Sequence, residues 1–145
     1  MKSDILQKCR DIVNQRMDHL REAMEEAQQS ANEYGPPKDR YDSYRTQLLR
    51  KKDMYGQQLA VAAEQSKTLE KIDPGKIHKK AGFGSLVITE SQKIFISVGL
   101  GKIEINGDII YAVSPVVPVA KVLEGQKEGG ICDLNGKKIK VIKIS

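Results

Sequence analysis

At 145 residues the chain has room for one ordinary domain, or for a small domain carrying an elongated appendage. Its composition, 39% apolar and 30% charged with no Trp and two Phe, describes a thin core and too many charges for a single compact globule. No stretch approaches the roughly 20 apolar residues of a membrane span, and the charged start MKSDILQKCRDI does not read as a signal peptide, so a cytoplasmic protein is expected.

The net charge of +5 is unevenly spread. Residues 1–75 hold 13 basic and 13 acidic side chains, whereas residues 76–145 hold 11 lysines against 6 acids. A lysine-rich second half suits a solvated surface first, and an acidic protein face or nucleic acid second. Cys9 and Cys132 have no CxxC spacing and no nearby histidine, which suits small buried side chains in a reducing compartment.

In chain order, Ser3 reads as an N-cap with Asp4 in the first turn. Leu6, Val13, Leu20 and Ala27 then recur every seven residues, with Met17, Met24 and Ala31 as a second stripe and Ile5, Cys9 and Ile12 widening it. This is coiled-coil spacing over three to four heptads. Gly35-Pro36-Pro37 stops it, because proline lacks the N–H and restricts the residue before it. A second helix is expected from near Lys38 to about Ile72, on a stripe of Tyr41, Leu48, Tyr55, Ala62 and Leu69. Two such helices joined by a short turn pack antiparallel, with the turn at 34–42 as the tip. The base of this hairpin is expected to lean on the second domain.

Beyond "IDPGK" the period changes to two. "SLVIT", "KIFISVG", "KIEI", "IIYAVS", "ICDL" and "KKIKVIKIS" are short, β-branched and separated by turn residues. Asn106-Gly107 and Asn135-Gly136 are the preferred two-residue hairpin turns. Between them, Ser114-Pro115 reads as an N-cap followed by proline at the first helical position, and Gly125 as the residue just past a short helix. The expected fold is α+β: an antiparallel helical hairpin over 1–75, then a small antiparallel sheet with one helix over 76–145. A stand-alone enzyme is disfavoured. His19 and His78 fall in different halves with no triad or metal partner, and there is no phosphate-binding loop.

The second half resembles the C-terminal domain of the bacterial transcript-cleavage factors GreA and GreB. The residues that carry this are "GFGSLV" at Gly82–Val87, "AVSPVVPVAKVLEGQKEGG" at Ala112–Gly130 and the closing "KIKVIKI". The order of hairpin then β domain is also similar. The resemblance implies an FKBP-like β domain that docks on RNA polymerase, with Ser114, Pro115, Lys121, Gly125 and Lys127 as docking residues. It implies no enzyme activity in isolation, no small-molecule substrate and no membrane partner. The family's hairpin tip enters the polymerase's secondary channel, where acids spaced D-x-x-E help hold a second catalytic Mg²⁺ and promote cleavage of backtracked RNA.

Asp39 and Asp42 occupy that place here, as catalytic and metal residues shared with the polymerase. On a helix, residues three apart share a face, so both carboxylates could meet one hard cation. The bland alternative is that they cap the helix start. Asp42 is one methylene shorter than the family's Glu, and Lys38, Arg40 and Arg45 make the tip less acidic, which favours a regulator that binds without stimulating cleavage as the second reading. Arg50 falls where the family carries a basic patch; with Arg45 and Lys51 it is a candidate contact for nascent RNA. Prolyl isomerisation is disfavoured, since this half has only Phe83, Phe95 and Tyr111 to line a pocket.

Overall fold

A computed structural model describes all residues, Met1–Ser145. The elements run α1 (Lys2–Tyr34), α2 (Tyr44–Glu70), β1 (Leu86–Thr89), β2 (Lys93–Ile96), β3 (Gly101–Ile105), β4 (Asp108–Val113), α3 (Pro118–Leu123), β5 (Ile131–Leu134) and β6 (Lys137–Ile144). Two compact units form: Asp11–Ser66, and Met1–Arg10 together with Lys67–Ser145. The change of sequence period near residue 75 and the division of packing therefore fall at different places, because the first ten residues and 67–75 belong to the unit that holds the strands.

In the unit Asp11–Ser66 the two helices run antiparallel. Tyr34 meets Tyr44 with ring centroids 4.8 Å apart, and Lys52 Nζ donates to Gln28 Oε1 at 2.7 Å. Further along, Met24 Cε lies against Gly56, where a Cβ would stand 3.5 Å away. Val13, Ala27, Ala31 and Ala62 are buried as the heptads require, but the seam is narrow and most flanking positions are half-exposed. Tyr41 departs from its expected stripe: it lies in the turn and is 78% exposed.

Helix starts also differ from expectation. Ser3 lies inside α1, whose first bond runs from the Ile5 N–H to the Met1 carbonyl at 3.1 Å. Lys2 takes over the anchoring: its buried ammonium donates to the Lys76 carbonyl at 2.9 Å and the Ser145 carbonyl at 3.2 Å. These are all residues of the β-containing unit, so the first turn of α1 is tied within that unit to residues 76 and 145.

The sheet order is β3-β4-β2-β1-β6-β5. All neighbours are antiparallel except β2 and β4, which are parallel, so the sheet is mixed and not wholly antiparallel as expected. After β2 the chain skips one place to make β3 at the edge, running opposite to β2, and the β3–β4 hairpin drops β4 into the gap beside β2. A strand returning antiparallel to β3 can only run parallel to β2.

Both Asn-Gly turns form as read. Asn106 and Gly107 have φ of 50° and 83°, and Asn135 and Gly136 have 53° and 83°. Two consecutive positive φ values define the type I′ turn whose twist matches the strands it joins. The third hairpin, at 89–92, had no such signal. Thr89 closes it, its hydroxyl accepting the Gln92 N–H at 3.0 Å while its own N–H donates to the Gln92 carbonyl at 2.8 Å.

One sheet face packs on α3 through Val87, Ile94, Ile96, Val141 and Ile144 against Ala120 and Leu123. Leu86, Phe95, Ile110 and Ala112, which alternate with these, are at most 2% exposed, so the other face is covered as well. The apolar residues of this unit outside the sheet with comparable burial include Ile5, Leu6, Cys9, Leu69 and Ile72. Cys9 is fully buried and burial pushes its thiol up to about 11, consistent with a small core side chain.

The helix α3 begins later than Ser114-Pro115 suggests. Ser114 instead makes a turn: its carbonyl accepts the Val117 N–H and its hydroxyl the Val116 N–H, both at 3.3 Å. Val117 precedes the helix without a side-chain cap, and Pro118, the second proline, supplies the first turn. Gly125 does stand just past the helix, at φ 80°, and its N–H donates to the Ala81 carbonyl at 2.8 Å.

Candidate functional site

The hairpin tip is a turn of nine residues, Gly35 to Ser43, between α1 and α2. The second helix begins only at Tyr44, where Asp42 accepts its first N–H, so neither Asp39 nor Asp42 is helical. The shared helical face expected of them does not exist. They sit instead in the turn, where the Asp42 N–H donates to the Asp39 carbonyl at 3.2 Å.

Asp42 holds the turn together. Its Oδ2 accepts the Tyr34 hydroxyl at 2.5 Å and the Lys38 N–H at 2.8 Å, and its Oδ1 accepts the Tyr44 N–H at 3.1 Å. One carboxylate thus joins the last residue of α1, the middle of the turn and the first residue of α2, satisfying an orphan N–H of the new helix. Two aromatic contacts reinforce it: the Tyr34–Tyr44 pair, and the Lys38 ammonium 4.8 Å from the centre of the Tyr34 ring.

The electrostatics follow from these bonds. The Lys38 N–H, then the Tyr34 hydroxyl and the Tyr44 N–H, hold the Asp42 carboxyl below its ordinary value. Reciprocally, the bond to Asp42 pushes Tyr34 up to about 12, because ionising the phenol would set two negative oxygens together.

Asp39 is the outward acid. Its Oδ1 accepts the Tyr41 N–H at 2.8 Å, a local turn bond, and the residue is exposed. A carboxylate offers about four lone-pair sites; Asp42 commits three to protein donors and Asp39 one. No group of three or more His, Cys, Asp or Glu side chains that could hold a metal forms anywhere. As a two-carboxylate Mg²⁺ site of this chain's own the donor set is uneven: Asp39 keeps most of its lone-pair sites, whereas Asp42 keeps about one beside the three donors that close the turn.

The other tip residues are basic and aromatic. The Arg40 guanidinium lies 4.8 Å from the centre of the Tyr41 ring and donates to its hydroxyl at 2.7 Å. Arg45 is half-buried and, with Asn32, Gly35, Pro36 and Pro37, lines a recess of about 360 Å³. Arg50 and Lys51 are exposed on α2, while Lys52 is half-buried and bonded across the hairpin. Sequence reasoning missed the roles of Tyr34, which ends α1, and Tyr41, which lies in the turn; their partners depend on how the turn closes.

Of the suggested docking residues, Ser114 and Pro115 form the turn after β4, Lys121 is exposed on α3, and Gly125 and Lys127 follow it. Val116 between them is 70% exposed. Of the three aromatics in this half, Phe95 is fully buried and Phe83 is 38% exposed. Tyr111 alone lines the unit's open recess of about 440 Å³, with Ile109, Lys93 and the 88–92 hairpin. No enclosed aromatic cavity forms there.

No protein-family model matches the chain, and no curated protein matches it. Among solved structures, the GreA factor homolog 1 (Gfh1) protein of Thermus thermophilus is similar over 94% of this chain and 94% of that one, at 19% identity and a TM-score of 0.36. A second structure, of the transcription factor Gfh1, covers 94% and 93% at 19% identity and a TM-score of 0.35. At that identity and superposition, function has to be argued from this chain's own residues.

Proposed function

We propose that this chain is an RNA polymerase accessory factor that presents its hairpin tip to the enzyme's secondary channel and modulates transcription without supplying a two-carboxylate metal site. The hairpin followed by a sheet unit with the Ser114–Gly130 segment, the arrangement that resembles the GreA and GreB factors, supports the polymerase as partner. The observation that carries the mode of action is Asp42. Its carboxylate accepts three hydrogen bonds that close the turn. A cation recruited to it would compete with donors from both helices for the same two oxygens.

Asp42 is on this reading a positioning residue. It fixes the turn so that Asp39, Arg40 and Tyr41 project from a defined surface. The β unit contributes affinity through the exposed residues around α3, Lys121 and Lys127 among them, against an acidic face of the polymerase. Arg50 and Lys51 offer phosphate contacts to nascent RNA along α2.

The competing reading is Mg²⁺-dependent stimulation of the polymerase's own cleavage of backtracked RNA by Asp39 and Asp42. A transcript-cleavage assay on stalled elongation complexes separates the two. The expected result is binding to the complexes with no increase in cleavage over a range of Mg²⁺. Cleavage stimulated by the wild-type chain and abolished by both Asp39→Asn and Asp42→Asn, with binding retained, would restore the cleavage reading.

A further inference from the structure

We propose that the hairpin tip carries a stacking site for an unpaired nucleotide of a single strand, with the Tyr41 ring as the platform and Arg40 as its cationic backing. The inference rests on the polymerase reading above, and it names what the tip touches once presented.

Three observations converge. Tyr41 is 78% exposed, although the turn makes no use of an aromatic side chain there: its N–H is bound by Asp39 and its hydroxyl by Arg40. Tyr34, by contrast, is built into the clasp. The Arg40 guanidinium occupies one side of the Tyr41 ring, 4.8 Å from its centre. An exposed ring with a cation on one side leaves its other face for a flat π-system. Base stacking of this kind tolerates any base, because each has a π-face.

Charge supplies the third argument. Between Tyr34 and Arg45 the chain has Lys38, Arg40 and Arg45 against Asp39 and Asp42. Asp42 stays ionised, but its carboxylate is occupied by three internal donors, and the segment keeps a formal excess of one basic charge, three against two. The unused N–H groups of Arg40 lie within one side chain of the platform, where the phosphate of a stacked nucleotide falls. The recess beside Arg45 and Asn32 offers further hydrogen-bonding groups on the same tip. A protein hot spot would surround an Arg–Tyr pair with apolar side chains that exclude water. Here the flanking Lys38 and Asp39 are exposed and charged, which favours a wet, phosphate-bearing ligand.

The test titrates the intact chain into a short single-stranded RNA with 2-aminopurine near its 3′ end, whose fluorescence falls on stacking. Wild type and Tyr41→Phe should quench alike. Tyr41→Ala should weaken binding about 5- to 150-fold, the range seen when one stacking aromatic is removed. A single-stranded DNA of the same sequence should behave like the RNA, since stacking and phosphate contacts ignore the sugar, and a duplex should not quench. The double change Lys137→Gln/Lys138→Gln, far along the sequence in the other unit, should leave the quench intact. Circular dichroism guards against misfolding, and an exposed side chain should leave melting unchanged.

Quenching that survives Tyr41→Ala, or that the Lys137/Lys138 change removes equally, overturns the platform. So does a wild-type chain that binds polymerase yet quenches no strand, a result that leaves the proposed function standing. Loss of polymerase binding by Tyr41→Ala in the absence of nucleic acid would assign the tip to a protein contact instead.

Discussion

Replacing Asp42 by Asn tests the clasp through the group it perturbs most, the Tyr34 phenol. In the wild type the bond to Asp42 holds Tyr34 up to about 12, against about 10 for an unperturbed tyrosine. At pH 11 that leaves about one-tenth of Tyr34 ionised. Without the carboxylate charge the phenol returns toward 10, and about nine-tenths would be ionised at the same pH. Asn still offers one carbonyl oxygen to the Tyr44 N–H, so the helix start is conserved while the charge is lost. Ring ¹³C shifts of selectively labelled tyrosine, with Tyr34→Phe to assign the signal, give the titration directly.

The pH dependence of the turn has two edges, both fixed by these shifts. Asp42 is depressed on folding, so its contribution is present above the ordinary aspartate range and is lost as pH falls through the lowered value. Tyr34 is raised, so its contribution is complete below about pH 10 and is lost as pH rises through about 12. Between those edges the Lys38 and Tyr44 amide protons should exchange slowly for an exposed turn. A wild-type Tyr34 that titrates near 10, unchanged by Asp42→Asn, would refute the clasp and with it the positioning role of Asp42.

Further outcomes concern packing. Gly56→Ala should stabilise the chain by about 0.5–1 kcal/mol in urea unfolding, because the helix gains propensity and the new Cβ meets Met24 Cε at an ordinary 3.5 Å. Ser97→Ala should raise stability by about 1 kcal/mol, since the Ser97 hydroxyl is buried with no partner; a loss of similar size would show that the hydroxyl is satisfied. Phe95→Ala, which empties the centre of the sheet, should cost about 3–5 kcal/mol by the same measurement.

Much of this fold is legible in the sequence because local rules happen to agree with tertiary packing. The heptads of α1, the Gly35-Pro36-Pro37 break and both Asn-Gly turns each fix backbone geometry within a few residues. What was not legible depends on distant partners. The first turn of α1 is fastened by Lys2 reaching the Lys76 and Ser145 carbonyls, contacts that no local motif encodes. The parallel β2–β4 pair follows from a strand order that periodicity does not contain.

The tip shows the same division. Two carboxylates three apart suggest a shared face only if the segment is helical, and the second helix starts past both. Tyr34 then captures Asp42 from the far side of the turn, eight residues away. Spacing alone reports which residues could act together. Closure of the turn decides which of them are free to do so.

Entry of the tip into RNA polymerase, as proposed, is tested most directly by site-specific photo-crosslinking. Benzoyl-phenylalanine in place of Tyr41 keeps an exposed aromatic group at the tip; the same group in place of the exposed Ile142 of β6 is the control. The expected result is a covalent adduct from position 41 to polymerase segments bordering its catalytic centre, with a different or absent adduct from position 142. No adduct from position 41 under conditions where the chain binds the polymerase, or adducts confined to the enzyme's outer surface, would contradict the account.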